Sequence, residues 1–120
     1  MHTNANDLPI VFQAGDVLIR ATDWAAFRAL LITLPAGADA TPLLRGLEGD
    51  RCQCPHWGYV RKGTLTVRYR DADETFNQGD VYYMPSGHTI MADDDVELIE
   101  FSPPDEYNTV LDALRANASA

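Results

Sequence analysis

Residues 79–87 read GDVYYMPSG, a short run of apolar and aromatic residues enclosed by turn-forming residues. The composition favours a strand from Val81 to Met84, while Gly79, Pro85 and Gly87 favour turns on both sides of it. A strand this short between two close turns is typical of an all-β domain built from many short strands.

The segments around this run repeat the same pattern. Leu65, Val67 and Tyr69 alternate with polar residues in a period of two, which predicts a half-buried strand. Turn residues recur at short, regular intervals from Gly63 onward, and another strand is predicted from Val96 to Phe101. Strands spaced in this way predict an antiparallel sandwich or barrel, in which few strand edges are exposed.

The N-terminal third is also predicted to be β-structure. Val11 to Trp24 is β-rich, and the apolar run from Phe27 to Leu34 fits either a buried strand or a short helix. A strand is favoured because Pro35 and Gly37 end the run early.

The C-terminal segment is predicted to be helical. After Pro103 and Pro104, Asp105 can cap a helix over about residues 105–117, outside the strands. With 120 residues, no repeat and no linker-like stretch, the whole chain from 1 to 120 is predicted to be a single domain.

Charge and composition exclude several classes of partner. Eighteen acidic residues against nine Lys and Arg give a net charge of -9, which repels phosphate backbones and anionic membrane surfaces. No apolar run approaches the ~20 residues of a membrane helix, and Met1 to Leu8 lacks the pattern of a secretory signal. We therefore expect a cytoplasmic protein with neither a nucleic-acid nor a membrane partner.

The two cysteines are Cys52 and Cys54, separated by one residue. A disulfide between them would close a small, strained ring, so free thiols or metal ligands are favoured.

The spacing of Gly79, Pro85 and Gly87 resembles the second signature motif of the cupin superfamily, and Gly63 resembles the last glycine of the first motif. The resemblance covers about residues 35–101. It implies an antiparallel jelly-roll β-barrel of the RmlC-like cupin type, with the barrel over about residues 10–102 and the short C-terminal α-helix outside it.

The family's metal ligands are replaced in this sequence. Where the first cupin motif has its Glu, this chain has His56; Cys52 occupies the second His position and Asp50 the first. In the second motif, Ile90 occupies the His position. The three-His, one-Glu ligand set of metal-binding cupins is therefore absent.

The replacing residues are themselves metal ligands. Because residues two apart on a strand share a face, Cys52, Cys54 and His56 are predicted to face the interior together. His88 precedes the family's ligand position by two residues, so it is predicted to join them. Thiolate and imidazole ligands suit zinc, iron or copper.

Three further residues, Asp50, Tyr82 and Met84, are predicted to line a ligand pocket, with Asp50 as a substitute ligand. Ordinary packing is the alternative for each class of residue here: buried Cys commonly fills cores, a His after a glycine turn is commonly only hydrogen-bonded, and Tyr and Met in strands are mostly packing residues.

These observations favour a small cupin that binds a small molecule, together with a divalent transition metal, as an oxygenase, isomerase or lyase. A metal-free binding or sensor domain is the alternative. A third hypothesis is metal-free acid–base catalysis, with His56 or His88 as the base and Asp50 orienting it.

A homodimer is expected as well, because small cupins resemble one another in pairing their barrels. The apolar run from Phe27 to Leu34 is the predicted contact face.

Overall fold

The computed structural model describes residues 1–119, and the last residue of the predicted domain, Ala120, lies outside the described part. Within residues 1–119 the chain forms nine strands, one α-helix and three short 3-10 turns. The strands are β1 (Ile10–Ala14), β2 (Val17–Trp24), β3 (Phe27–Leu34), β4 (His56–Lys62), β5 (Thr64–Arg68), β6 (Asp73–Asn77), β7 (Val81–Met84), β8 (Thr89–Ala92) and β9 (Val96–Ser102). The 3-10 turns are Ala5–Asp7, Thr41–Leu44 and Glu48–Asp50, and the helix is α1 (Pro104–Ala118).

The strands form two antiparallel sheets. One has six strands in the order β1-β2-β3-β9-β4-β7, and the other has three in the order β6-β5-β8. Among residues 1–119 the hydrogen bonds do not join these sheets into one closed barrel, so the fold is a two-sheet jelly roll. The predicted antiparallel all-β fold with a C-terminal helix is confirmed.

The core lies between the sheets, because alternate side chains of each strand point there. Val60 and Leu98 from the larger sheet and Leu65 and Val67 from the smaller one are completely buried. The period-two alternation read from the sequence therefore identifies the inward-facing positions correctly.

The run from Phe27 to Leu34 is a strand, as predicted, but it is not a free apolar face. It pairs with β2 and β9 on its two edges, and all its residues except Phe27 and Thr33 are buried. The 3-10 turn Ala5–Asp7 packs against it, and Leu8 is buried beside that turn. Only Phe27 at the start of β3 is exposed, so the prediction that the whole run from Phe27 to Leu34 supplies a dimer face is wrong.

The strand on which Cys52, Cys54 and His56 were predicted to share a face begins only at His56. Pro55 has no backbone N–H to donate to a neighbouring strand, so pairing starts only after it. Before it, Cys52 forms an isolated bridge with His88, and Cys54 lies in a bend.

The helix begins at Pro104, one residue earlier than predicted, and Pro103 takes the capping position instead of Asp105. Proline is suited to the first helical position, since its missing N–H would have no partner there. Asp105 lies in the first turn, where its negative charge interacts favourably with the positive end of the helix dipole.

One face of α1 closes an end of the space between the sheets. Tyr107, Val110, Leu111 and Leu114 are buried on that face. The Asn117 side-chain amide donates to the Leu43 and Arg45 carbonyls, each at 2.8 Å, and so ties the helix to the 3-10 turn Thr41–Leu44.

No helix within residues 1–119 is both long enough and apolar enough to cross a lipid bilayer.

Candidate functional site

Three buried side chains meet at one end of the space between the sheets. Ligand atoms of Cys52, His56 and His88 all lie within 4.8 Å of one another. The rings of His56 and His88 are 5.0 Å apart, and Cys52 Sγ lies 3.4 Å from His56 Nε2. The cluster therefore brings one thiol and two imidazoles to a single point.

Backbone pairing positions two of these residues. The Cys52 N–H donates to the His88 carbonyl at 2.8 Å, and the Gly87 N–H donates to the Cys52 carbonyl at 2.8 Å. Gly87 has φ +92°, a left-handed value that favours glycine, and it turns the chain toward Cys52. The turn at Gly87 and the isolated bridge thus place the Cys52 thiol beside the His88 imidazole.

Hydrogen bonds to one nitrogen of each imidazole fix the orientation of the two histidine rings. His88 Nδ1 lies 2.7 Å from the Pro85 carbonyl oxygen, which can only accept, so Nδ1 carries the proton and Nε2 keeps a free lone pair. His56 Nδ1 lies 2.7 Å from Ser102 Oγ, while its Nε2 faces Cys52. Metal-binding histidines are commonly held through the other ring nitrogen in this way.

Burial sets the charge state of the cluster. It lowers the pKa of His56 to about 3 and, together with the neighbouring His56, lowers the pKa of His88 to about 4. Both imidazoles are therefore neutral at neutral pH, which is the form that ligates metals. Burial raises the pKa of the Cys52 thiol well above its usual range, so an arriving metal ion must displace the thiol proton.

Sequence analysis missed Glu100, which is 1% exposed and lies beside the cluster. Its Oε1 accepts a 2.7 Å hydrogen bond from the Tyr82 hydroxyl. Its Oε2 has no hydrogen-bond partner within residues 1–119 and lies 3.7 Å from His56 Nδ1. That distance is within ion-pair range, but the low pKa of His56 leaves the imidazole uncharged.

Burial raises the pKa of Glu100 to about 7, while the Tyr82 hydrogen bond opposes the shift. Near neutral pH this carboxyl group can therefore hold or release a proton. The signal for it was present in the sequence, because Glu100 shares its parity on β9 with the buried Val96 and Leu98.

The cluster forms one end of a partly open cavity of about 80 Å³. The cavity walls come from both sheets, the 3-10 turn Thr41–Leu44 and α1, and they are mostly aliphatic. Cys52, His56, His88, Glu100 and Tyr107 contribute the polar groups at the cluster end.

The other predicted site residues are placed differently. Met84 lines the cavity, but Tyr82 does not, because its hydroxyl is directed to Glu100. Cys54 lies outside the cluster, with its thiol near the Pro55 and Pro103 carbonyls at 3.5 and 3.9 Å, and burial raises its pKa to about 12.

Asp50 lies outside the cavity as well. It is exposed in the turn Glu48–Asp50, and its carboxylate accepts the Gly46 N–H at 2.9 Å. The predictions that Asp50 is a substitute ligand or orients a histidine are therefore wrong, because this carboxylate stabilises its own loop.

Comparison with known proteins gives matches to solved structures, while no family model and no curated protein matches the chain. An RmlC-like cupin from Shewanella frigidimarina is 16% identical with a TM-score of 0.62, and the match covers 85% of this chain and 88% of that one. A cupin-2 domain protein from the same organism is 19% identical with a TM-score of 0.53, over 77% and 83% of the two chains.

The chain has the cupin fold. Oxalate decarboxylase from Bacillus subtilis matches as well, at 17% identity and a TM-score of 0.62, over 84% of this chain and 28% of that longer one. Identities this low describe the fold alone, so the site must be interpreted from its own residues. The resemblance read from Gly79, Pro85 and Gly87 is confirmed at the level of the fold.

Proposed function

We propose that this cupin binds a divalent transition metal through Cys52, His56 and His88 and holds a small molecule in the adjoining cavity. The observation that carries the proposal is the meeting of three ligand side chains, one thiol and two imidazoles, within 4.8 Å, with both imidazoles held neutral. One sulfur and two nitrogen ligands suit zinc, iron or copper.

Two further features support a metal at this point. The unpartnered Oε2 of Glu100 adjoins the cluster, and buried polar atoms are rarely left without a partner. His56 and His88 also have their second nitrogens engaged by Ser102 and Pro85, which fixes the ring orientations.

The proposed reaction class is that of an oxygenase, isomerase or lyase. A bound divalent ion with an open position supplies Lewis acidity toward a substrate oxygen or activates water or dioxygen. The chain's own contribution is to exclude bulk water with the aliphatic walls and to hold a proton on Glu100 beside the reacting end.

The second candidate is a metal-free binding domain. The observation in its favour is that the Cys52 thiol already has an acceptor, since its Sγ lies 3.4 Å from His56 Nε2. Metal-free catalysis by His56 or His88 with Asp50 is not supported, because both imidazole pKa values are low and Asp50 lies in an exposed turn.

Cobalt substitution tests the metal proposal directly. The protein, purified without chelator or metal-affinity resin, should carry close to one transition metal per chain, and Co²⁺ should give an intense near-ultraviolet thiolate-to-metal band. Replacing Cys52 with Ser should remove this band and weaken Co²⁺ binding at least about tenfold, because a hydroxyl is a poor ligand for such metals.

Cys54→Ser is the matched control, since Cys54 is equally buried but lies outside the cluster. It should keep the band and the metal content. Absence of stoichiometric metal in the reduced wild type, or an equal effect of the two substitutions, would reject the metal proposal and favour the metal-free domain.

We also propose that two copies pair through an aromatic face on the outside of the larger sheet. The face consists of Phe27, Trp57, Tyr59, Val81, Tyr83 and Phe101, whose exposed fractions range from 43% to 84%. Trp57 stacks on Tyr83 at 5.3 Å and meets Phe27 edge-on at 6.2 Å, so the side chains form one continuous surface.

The size of this face supports self-association. Five half-exposed aromatic residues and one valine present on the order of 500 Å² of apolar surface. That area is a large part of the roughly 800 Å² that each partner buries in a standard interface.

Sedimentation should detect a dimer at tens of micromolar, and Tyr83→Glu should weaken it at least about tenfold by placing a charge in the face. Ile10→Glu is the control, because Ile10 is 51% exposed on β1, at the opposite edge of the same sheet. A monomeric wild type, or equal weakening by both variants, would contradict the dimer proposal.

A further inference from the structure

The walls of the cavity limit the chemistry of its ligand. Most of its lining side chains are aliphatic, including Ile19 and Ile32 from the larger sheet, Leu43 from the 3-10 turn, and Val110 and Leu114 from α1. Apolar walls favour a ligand that is itself mostly hydrocarbon, because both surfaces leave water on binding.

The charged residues of the cavity also favour an uncharged ligand. Its lining, which lies entirely within residues 1–119, contains Asp39 and Glu100 but no Lys or Arg. Carboxylate and phosphate ligands are typically held by such cations, and polyols need several polar partners.

The potential metal ligands occupy one end of the cavity. Cys52, His56 and His88 converge there, and Glu100 Oε2 adjoins them. Two other polar lining residues, Asp39 and Thr89, are hydrogen-bonded to Thr41. The volume of about 80 Å³ is smaller than the roughly 150 Å³ of a cavity that accepts benzene. A ligand that fits without rearrangement is therefore smaller than benzene and has about three to five non-hydrogen atoms.

We infer that the cavity takes a short, neutral, mainly aliphatic molecule with one oxygen, nitrogen or sulfur donor atom, which lies at the Cys52/His56/His88 end. This inference rests on the proposed function, because it takes the metal cluster as the polar end of a ligand site. Sugars, phosphorylated compounds and nucleotides are excluded as ligands by the same walls.

Primary alcohols of increasing length are suitable probes. Zinc-loaded protein is titrated with ethanol, 1-propanol and 1-butanol, and binding is followed through the methyl signals of Ile19, Ile32 and Val110, with acetate, propanoate, butanoate and glycerol as comparison ligands. Each added CH₂ should lower the alcohol Kd up to about fourfold. Each carboxylate should bind more weakly than the alcohol of equal carbon number, and glycerol should not bind.

A blocking variant tests the location. Ala40 lines the cavity, and Ala40→Phe should weaken 1-butanol binding at least about tenfold while leaving the zinc content unchanged. The smaller change Ala38→Leu, at another lining position, should weaken it in the same direction. Ala36→Phe is the control, since Ala36 is exposed on the same loop and outside the lining.

The outcomes separate this inference from the proposed function. Zinc bound through Cys52 together with length-independent alcohol binding, or with carboxylates or glycerol binding as tightly as the alcohols, would overturn the ligand class and leave the metal site intact. Absence of stoichiometric zinc in the same samples would instead overturn the proposed function on which the inference rests.

Discussion

Metal-free protein in a chelating buffer should lose stability steadily as the pH falls from about 6.5 toward 4. The reason is that His56 and His88 accept protons readily only after the chain unfolds. Their folded pKa values are about 3 and about 4, against an ordinary value of 6.5. Between these values the unfolded chain binds more protons, so acid favours unfolding.

Glu100 acts in the opposite direction. Its folded pKa of about 7 is higher than its ordinary value of 4.5, so between these values the folded chain holds the extra proton. Its contribution to stability is therefore complete below about pH 4.5 and is lost as the pH rises through 7. Asp23, whose pKa is lowered by its hydrogen bond to Arg28, contributes stability that is complete above about pH 4 and is lost only as the pH falls below that value.

Near pH 5 to 6 unfolding adds about two protons at the two histidines and releases about one at Glu100, so the unfolded chain binds about one proton more than the folded chain. The free energy of unfolding should then fall by about 1.4 kcal/mol per pH unit on acidification. Below about pH 4.5 Glu100 no longer opposes the change, but His88 begins to accept its proton in the folded chain, so the slope should stay near one proton. The expected loss is several kcal/mol from a total of about 5–15 kcal/mol for a typical domain.

Urea unfolding at several pH values measures this slope, and two variants show which residues cause it. Glu100→Gln keeps an acceptor for the Tyr82 hydroxyl but removes the opposing proton, so the slope near pH 5 to 6 should correspond to about two protons. His88→Gln should reduce it to about zero. A wild-type stability that is flat or increases toward acid, or a Glu100→Gln slope no steeper than the wild type, would show that these groups are not buried as described.

The fold was predictable because turn chemistry is local. Gly79, Pro85 and Gly87 favour turns through their own backbone preferences, whatever the rest of the chain does. The strand from Phe27 to Leu34 was also predictable, but its burial was not. Its outer face is covered by the 3-10 turn Ala5–Asp7, which is distant in sequence and carries no periodic signal.

The site was predictable only in part. Strand parity predicted that Cys52, His56 and His88 face the interior together, and the side chains of these three residues do meet. Parity failed for Cys54 because Pro55 delays the strand and the chain bends before it. A periodic pattern can be extended along a chain only while the backbone stays extended.

Glu100 was missed for a different reason. An acidic residue between apolar neighbours is normally assigned to the solvent face, but the partners that permit its burial come from other strands. Tyr82 on β7 supplies the hydrogen bond, and His56 on β4 supplies the second polar neighbour. The parity of Glu100 on β9 places it inward, but only the assembled sheet shows the residues that pair with it there.

Replacing Gly63 with alanine should destabilise the fold by at least about 3 kcal/mol, one of the largest effects of any single methyl group in this chain. Gly63 has φ +84°, a left-handed value that is strained for other residues. A Cβ there would also collide with the Asp95 carbonyl oxygen and would lie 2.6 Å from Asp94 Oδ1. The first contact is with backbone, so the neighbour cannot simply rotate away.

Gly79→Ala separates these two causes, because Gly79 has a similar φ of +95° but, among residues 1–119, no heavy atom within 4 Å of an added Cβ. It should cost only the backbone strain, about 1–2 kcal/mol. Urea unfolding of both variants at one pH gives the difference, which is the cost of the collision between the β4–β5 turn and the Asp94–Asp95 turn. Equal losses would mean that Gly63 is required for its φ alone, and that the close contact of these two turns does not hold the sheets together.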